Sequence, residues 1–206
     1  MAAQGAMLTI GHSTHPLEVF LELLRKHKIS VVADVRSAPY SRYCPHFNKD
    51  TLSRGLKENG IKYVFLGREL GARADDPYCY VNGQVRYSRL AERAQFREGI
   101  ERLKKGMGEH RIALMCAERE PLECHRTLLV ARALAAEGMT ISHIHSDGSL
   151  EQHQDAMERL LDVVGLPHED LFRAKDELME EALARQEERV AYKDDSQTPD
   201  TPGASQ

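Results

Sequence analysis

Residues 116–126 read CAEREPLECHR and bring thiol, imidazole, carboxylate and guanidinium groups together within eleven residues. Cys124 lies where a helix is predicted to begin, directly before His125 and an arginine. A helix dipole and cationic neighbours lower the pKa of a thiol, which is the setting of a nucleophilic cysteine. His125 is a candidate base, and Glu118 is a candidate acid or base. Cys116 ends the preceding apolar run, and we interpret the segment as a catalytic or anion-binding loop.

Other interpretations of the same residues stay open. A free cysteine often packs as a small hydrophobe, and a loop glutamate is often simply solvated. Cys116, Cys124 and His125 are also candidate ligands of zinc or iron, with His12 or His145 completing the set. Because zinc sites usually show tighter spacings and the chain has no CxxC pair, we assign no metal ligand from the sequence. Cys116 and Cys124 can also be interpreted as a redox pair that meets across the loop.

Arginines in several segments indicate that a ligand of this site is an anion. Guanidinium groups match carboxylate or phosphate with paired hydrogen bonds, and the free N–H groups of a helix start favour the same ligands. The GHST segment before a predicted helix supplies such a start, without the GxxxxGK[ST] pattern of a P-loop. A polar turn with a capping hydroxyl is equally consistent with it. The candidate anion-binding residues are His12, Ser13, Thr14, Arg36, Ser41, Arg42, Arg119 and Arg126.

Asp34 is a further catalytic candidate, because it precedes Arg36 by two residues at the end of an apolar run. Side chains two residues apart on a strand point to the same side, so the carboxylate and the guanidinium are expected to be neighbours. A structural ion pair at a strand end is the alternative interpretation.

The elements that must position these residues alternate along the chain. Apolar runs predict five strands, at 7–11, 29–36, 61–67, 111–118 and 139–146, and helical periodicity predicts helices between and after them. This pattern predicts a single three-layer α/β domain with a mostly parallel five-stranded sheet and helices on both faces. Since the polar clusters follow predicted strands, they are expected to converge at the carboxyl edge of the sheet, where such folds bind ligands.

Composition limits the classes of function. The chain has 206 residues, 41% hydrophobic and 29% charged, with a net charge of -4, which disfavours a nonspecific polyanion binder. No apolar run reaches the ~20 residues of a membrane helix and no secretion signal is visible, so we expect a cytoplasmic protein without a membrane partner. Four cysteines at this length do not indicate a disulfide framework.

The chain is predicted to fall into four parts. Residues 1–6 are a flexible N-terminus, 7–148 the α/β core with the site, 149–189 C-terminal helices packed on or extending from the core, and 190–206 a disordered tail. A helix is predicted to begin at Ser149. The long segment 67–87 is expected to be functional or mobile, because loops of this length are uncommon inside compact domains.

Four segments together resemble one known family. IGHSTHP, DVRSAPYSRYCPHFN, FLGRELGA and MCAEREPLECHR occur in this order, and the chain is similar over about 7–145 to the domain-of-unknown-function 488 family. The resemblance implies a compact α/β protein of bacterial type and supplies no reaction. The motif positions that it implies for the site are His12, Ser13, Asp34, Arg36, Pro39, Ser41, Arg42, Cys116, Glu118, Cys124, His125 and Arg126.

The leading functional hypothesis is an enzyme that acts on a phosphate-bearing substrate, a nucleotide or a nucleic-acid component. Arg36, Arg42 and Arg126 would hold the anion. Cys124 or Glu118, assisted by His125, would supply the nucleophilic or acid–base chemistry. The alternatives are a metal- or thiol-dependent redox protein and a noncatalytic module that binds nucleotides or nucleic acid. The sequence identifies no cofactor and no oligomeric state.

Overall fold

The computed structural model describes residues 7–194, and a six-stranded sheet forms their centre. In chain order the strands are β1 (Met7–Gly11), β2 (Val31–Asp34), β3 (Lys62–Phe65), β4 (Tyr80–Val81), β5 (Gln84–Val85), β6 (Ile112–Cys116), β7 (Ile141–Ile144) and β8 (Leu150–Gln152). The main sheet has the order β3-β2-β6-β1-β7-β8, and β4 pairs with β5 as a separate hairpin. The first five strands of this order are parallel, whereas β8 is antiparallel to β7.

Helices cover both faces of the sheet. They are α1 (Leu17–Lys26), α2 (Lys49–Glu58), α3 (Gly67–Leu70), α4 (Tyr87–Ala91), α5 (Ala94–Met107), α6 (Arg132–Ala136), α7 (His153–Val164) and α8 (Lys175–Val190), with a π-helix at Arg126–Ala131 directly before α6. Successive residues of β6 alternate between two core clusters: Leu114 belongs to the one with α5 to α8, and Met115 to the one with α1 and α2. None of the helices within residues 7–194 is long and apolar enough to span a bilayer.

The predicted α/β class with a mostly parallel sheet is confirmed, but five strands was one too few. The missed strand is β8, which lies where a helix was predicted to begin. Gly148 takes a φ of 77° and Ser149 N donates to Asp147 Oδ1 at 2.8 Å, so the chain turns back antiparallel to β7. Leu150 is 46% exposed, which shows that backbone pairing rather than apolar burial makes this strand. An apolar pattern therefore could not reveal it.

The long segment 67–87 is structured, with α3, the β4–β5 hairpin and the start of α4. The chain beyond α8 returns to this hairpin: Val85 N donates to Tyr192 O at 3.0 Å, and Asp194 N donates to Gly83 O at 2.7 Å. These residues fall in the predicted tail, whose remaining residues 195–206 lie outside the described part, as do residues 1–6. The apolar spacing over 88–105 predicts one helix, which the structure divides between α4 and α5.

The carboxyl ends of β1 and β6 are tied together by close backbone contact. His12 N donates to Cys116 O and Ser13 N donates to Ala117 O, both at 2.9 Å. A Cβ on Gly11 would lie 1.9 Å from the carbonyl oxygen of Glu118. Only glycine permits this approach, so β1 fixes the position of the loop that follows β6.

Candidate active site

The segment 116–126, here called the cysteine loop, turns sharply at its end. A 3₁₀-helix at Pro121–Glu123 is capped by the Glu120 side chain, which accepts from Leu122 N at 3.1 Å. Cys124 has extended backbone (φ -137°, ψ 137°), whereas the next residue is helical (φ -59°, ψ -24°). Because of this change in backbone conformation, the adjacent side chains of Cys124 and His125 point into the same buried cluster.

Cys116, Cys124 and His125 form one buried cluster. Their donor atoms, two sulfurs and a ring nitrogen, all lie within 4.8 Å of one another. His125 Nδ1 is 3.7 Å from Cys116 Sγ and 3.9 Å from Cys124 Sγ. The other ring nitrogen, Nε2, lies 3.0 Å from Val35 O at the end of β2. A carbonyl can only accept, so Nε2 carries the hydrogen and Nδ1 faces the sulfurs.

Glu118 adjoins this cluster at the mouth of a cavity. Its Oε2 lies 3.0 Å from Cys124 Sγ, so the two groups share one hydrogen bond. The residue as a whole is exposed and lines the cavity, while its carboxyl lies against the buried Cys124. The carboxyl therefore contacts both the cluster and the solvent.

The side chains in and beside the cluster shift one another's pKa values in different directions. Burial raises the pKa of Cys116, and the hydrogen bond and charge of Cys124 raise it further. Burial also acts to raise the pKa of Cys124, but the Cys116 hydrogen bond and the charges of Arg126 and His125 hold it well below its usual value. Burial would lower the pKa of His125, and contact with Cys124 raises it overall. For Glu118, burial and the Cys124 charge both raise the pKa. Cys124 is therefore the first of the two thiols to ionise.

Arg126 is fully buried beneath the cysteine loop. Its Nη1 donates to Glu118 O at 2.6 Å and its Nη2 donates to Arg119 O at 3.2 Å. Its backbone N–H donates to Cys124 Sγ at 3.4 Å. Within residues 7–194 its Nε has no hydrogen-bond partner and no carboxylate forms a salt bridge with it. The guanidinium thus supports the loop from below and adds positive charge beside the cluster.

Asp34 and Arg36 form a buried ion pair at the end of β2. Arg36 Nη2 donates to Asp34 Oδ2 at 2.6 Å and its Nε donates to Oδ1 at 2.9 Å, while Tyr63 also donates to this carboxylate. His12 Nδ1 donates to Ser13 O, which leaves Nε2 to accept from Arg36 Nη1 at 3.1 Å. Burial is the main reason that the pKa of His12 falls to about 4, so this ring is neutral.

A cavity of about 230 Å³ opens beside the cluster. Five of the residues singled out in the sequence line it, namely Arg36, Cys116, Glu118, Cys124 and His125. The others lie elsewhere. Asp34, His12 and Arg126 are buried behind this wall, and Arg119 donates to Ser146 Oγ on the outside. Ser41 accepts from two backbone N–H groups of its own turn, and Ser13, Thr14 and Arg42 do not reach the cavity.

Several lining residues were not identified from the sequence. Arg73 and Tyr87 come from the long segment 67–87, and Val190 and Tyr192 come from the end of α8 and beyond. The Arg73 guanidinium stacks on the Tyr192 ring, 4.3 Å from its centroid. The length of segment 67–87 was the only sequence signal for the first pair. No sequence signal identified Val190 and Tyr192, because contacts between residues so far apart in sequence leave no local pattern.

Elements outside the cysteine loop hold it in place. Gln186 Nε2 of α8 donates to Leu122 O at 2.8 Å, and Arg159 of α7 donates to Glu120 at 2.8 Å. The C-terminal helices thus stabilise the loop that carries both cysteines.

Comparison with known proteins gives one match. A family model described as "Domain of unknown function DUF488" matches residues 16–133, more than half of the chain. No curated protein and no solved structure matches. The matched region contains the whole cysteine loop and ends before α7 and α8.

Proposed function

The chain belongs to the DUF488 family, and because that description assigns no activity, we propose from the site that the protein is an enzyme acting on a small substrate with an anionic group such as phosphate. The observation that carries this proposal is the juxtaposition of the buried cluster with an exposed carboxyl at one cavity. Cys116, Cys124 and His125 line that cavity, and Glu118 bonds to Cys124 at 3.0 Å. Enzymes that use acid–base catalysis in group transfer usually hold a nucleophile and a proton-carrying side chain within hydrogen-bond distance of each other.

Glu118 is the proton carrier of the proposed reaction. Its carboxyl touches the cluster on one side and solvent on the other, so it can take a proton from the nucleophile and release it to the leaving group. The nucleophile comes from the cluster. Because the Nε2 of His125 is held by Val35 O and its Nδ1 faces the sulfurs, we assign the ring to orienting the sulfurs.

Arg73 is the proposed anion ligand. It is exposed at the cavity, and within the described residues no carboxylate forms a salt bridge with it. Stacking on Tyr192 fixes the guanidinium plane and leaves its N–H edges available for two hydrogen bonds to an anion. Arg36 also lines the cavity, but its charge is already balanced by Asp34.

The cavity volume favours a small substrate over a nucleic-acid chain. About 230 Å³ is below the ~300–1,000 Å³ of most pockets for drug-sized ligands. A phosphorylated metabolite or the reacting part of a nucleotide is of suitable size. We therefore propose a small phosphate-bearing molecule as the substrate, whereas the sequence also allowed a nucleic-acid component.

The test measures hydrolysis of a panel of phosphate esters, starting with p-nitrophenyl phosphate, and binding of inorganic phosphate. Arg73→Ala is expected to raise KM by roughly 10-fold or more, because a charge-assisted hydrogen bond contributes about 1.5–3 kcal/mol. Glu118→Gln is expected to lower kcat by about 100-fold or more, since acid–base catalysis contributes ~10²–10⁴-fold. Arg68→Ala, an exposed arginine on α3 outside the cavity, is the matched control.

Two results would contradict the proposal. If the wild-type protein and Arg73→Ala bind inorganic phosphate equally weakly, the anion site is wrong. If phosphate binds at Arg73 but no ester in the panel is turned over, the site belongs to a binding module and not to an enzyme.

A further inference from the structure

The contacts between the imidazole and the two sulfurs are loose. Nδ1 lies 3.7 Å from Cys116 Sγ and 3.9 Å from Cys124 Sγ, at the long end of the range for hydrogen bonds to sulfur. A tetrahedral zinc with Zn–S of about 2.3 Å and Zn–N of about 2.0–2.1 Å would place neighbouring ligand atoms roughly 3.6 Å apart. The observed distances thus match donor atoms arranged around a shared ion.

His125 is oriented as a metal ligand is. Its Nε2–H donates to Val35 O at 3.0 Å, which leaves Nδ1 as the nitrogen that can give up its proton and bind an ion. Histidines that ligate metals almost always donate their other ring N–H to a carbonyl or carboxylate, which fixes the ring and its tautomer. Here the backbone carbonyl of Val35, directly after β2, does so, and Nδ1 points at both sulfurs.

The charges around the cluster fit an ion with two thiolates. A divalent cation and two thiolates are together neutral. The remaining charges are those of Arg126, buried with no salt-bridge partner in residues 7–194, and of Glu118. On ionising, Glu118 would lose its hydrogen bond to Cys124 Sγ, because a carboxylate and a thiolate have no proton to share. The backbone N–H of Arg126 also donates to Cys124 Sγ at 3.4 Å, as expected for a sulfur that carries negative charge.

We propose that Cys116, Cys124 and His125 bind one Zn²⁺ ion whose fourth position opens to the cavity. Two thiolates and one imidazole suit zinc, and three protein ligands with one open position are typical of catalytic rather than structural zinc sites. All three ligands line the cavity, so the open position faces it. No fourth cysteine, histidine or acidic residue among the described residues joins this group of donor atoms.

This inference rests on the proposed function in one respect: it identifies where the nucleophile comes from. With the ion bound, the Glu118 carboxylate would face the bound water instead of Cys124 and would take a proton from it, while the water oxygen forms a bond to the phosphorus of the ester. The bond to the leaving group would break, and the leaving oxygen would keep the electron pair and take the proton from Glu118. In this mechanism Cys124 is a ligand and not the attacking group.

The test begins with the metal content of the full chain, expressed in zinc-supplemented medium and purified without chelator. One zinc per chain is expected. Cys116→Ser and Cys124→Ser should each weaken zinc binding by more than about 100-fold, because even changes behind the ligands cost ~10–100-fold. Cys44→Ser is the control, since this buried cysteine lies outside the cluster and contacts Ser13 O. It should keep the zinc.

A second measurement avoids variants that fail to fold. The reduced, chelator-treated wild-type protein is titrated with Co²⁺, which gives ligand-field bands of a tetrahedral ion and thiolate-to-cobalt charge transfer. Both spectral signals should saturate at one equivalent. A zinc-free protein without these bands would overturn the inference, and so would zinc that Cys44→Ser also loses.

Two outcomes distinguish a failure of the zinc site from a failure of the proposed reaction. Stoichiometric zinc without turnover of any phosphate ester would refute the proposed enzyme and leave the metal site standing. Turnover by zinc-free protein, abolished in Cys124→Ser, would refute the metal site and restore Cys124 as the nucleophile.

Discussion

Replacing Gly11 by alanine tests how the site is held. The new Cβ would lie 1.9 Å from Glu118 O, whereas real Cβ contacts are essentially never shorter than 3.0 Å. The Cβ is fixed to the backbone at position 11, and Glu118 O is itself a backbone atom. Neither atom can move away by a side-chain rotation, so the cysteine loop must move by more than an ångström. That movement weakens the 2.6 Å bond from Arg126 Nη1 to Glu118 O.

The magnitude follows from these two effects. Overpacking costs about 1–3 kcal/mol, and a hydrogen bond from a charged group contributes about 1.5–3 kcal/mol. We therefore expect Gly11→Ala to lower the free energy of unfolding by roughly 2.5–6 kcal/mol. Because a 1 Å misplacement of a catalytic group can cost ~100-fold in rate, kcat for p-nitrophenyl phosphate should fall by about that factor.

The assay is urea denaturation of the wild-type protein and the variant, with kinetics on the folded fraction. Gly55→Ala in α2 is the matched control. Its Cβ would meet only the flexible end of the Leu17 side chain, at 3.1 Å, and helix propensity favours alanine by up to ~1 kcal/mol. A Gly11→Ala protein as stable as the wild type, with unchanged kcat, would refute the reasoning that β1 fixes the loop.

Three further predictions concern stability and binding. His143 and His153 are hydrogen-bonded at 3.1 Å, and burial is the main reason that their pKa values fall to about 2 and about 4. As the pH falls, these histidines therefore bind protons in the unfolded chain before they do so in the folded protein. Lowering the pH from 7 to 5 should reduce the free energy of unfolding by about 2 kcal/mol for each histidine, measured by urea unfolding. Asp34→Asn should destabilise the fold by about 3–5 kcal/mol in the same assay, because Arg36 keeps a buried charge without its partner. Tyr192→Ala should weaken inorganic phosphate binding by roughly 2- to 5-fold in calorimetry, since an exposed cation–π contact contributes about 0.5–1 kcal/mol.

Each of these predictions has its own control. His153→Gln should reduce the loss of stability between pH 7 and pH 5, and an unchanged pH dependence would contradict the assignment. For the ion pair, a loss below about 1 kcal/mol would show that Arg36 finds another partner. Tyr192→Phe keeps the ring, so it should bind phosphate as the wild type does. Equal weakening in Tyr192→Phe and Tyr192→Ala would argue against stacking as the cause.

The central strands could be predicted because their burial is encoded locally. Val31–Asp34 and Ile112–Cys116 are buried along their whole length and stand out as apolar runs. By contrast, β8 exposes Leu150 and exists through pairing with β7, which no periodicity records. The division at 92–93 between α4 and α5 also left no strong signal, because the apolar spacing continues across it.

The site could be predicted where its residues follow strands or lie close in sequence. The rule that ligands gather at the carboxyl ends of parallel strands brought Arg36 and the cysteine loop together in advance. Arg73 and Tyr192 could not be found this way, because they meet through contacts more than a hundred residues apart. The sequence also could not show that Arg126 is buried, since arginine is usually exposed and here two inward carbonyls accept its hydrogen bonds.

The wall of the cavity comes from two different parts of the chain. The cysteine loop lies within the part of the chain shared with the family, whereas Val190 and Tyr192 come from the end of α8 and the residues after it. On the proposed function, the reacting groups and the anion ligand Arg73 both lie within 16–133, and only this part of the wall lies outside it. A protein that kept residues 16–133 and exchanged the C-terminal wall would then keep the anion ligand and change the shape of the space beside it.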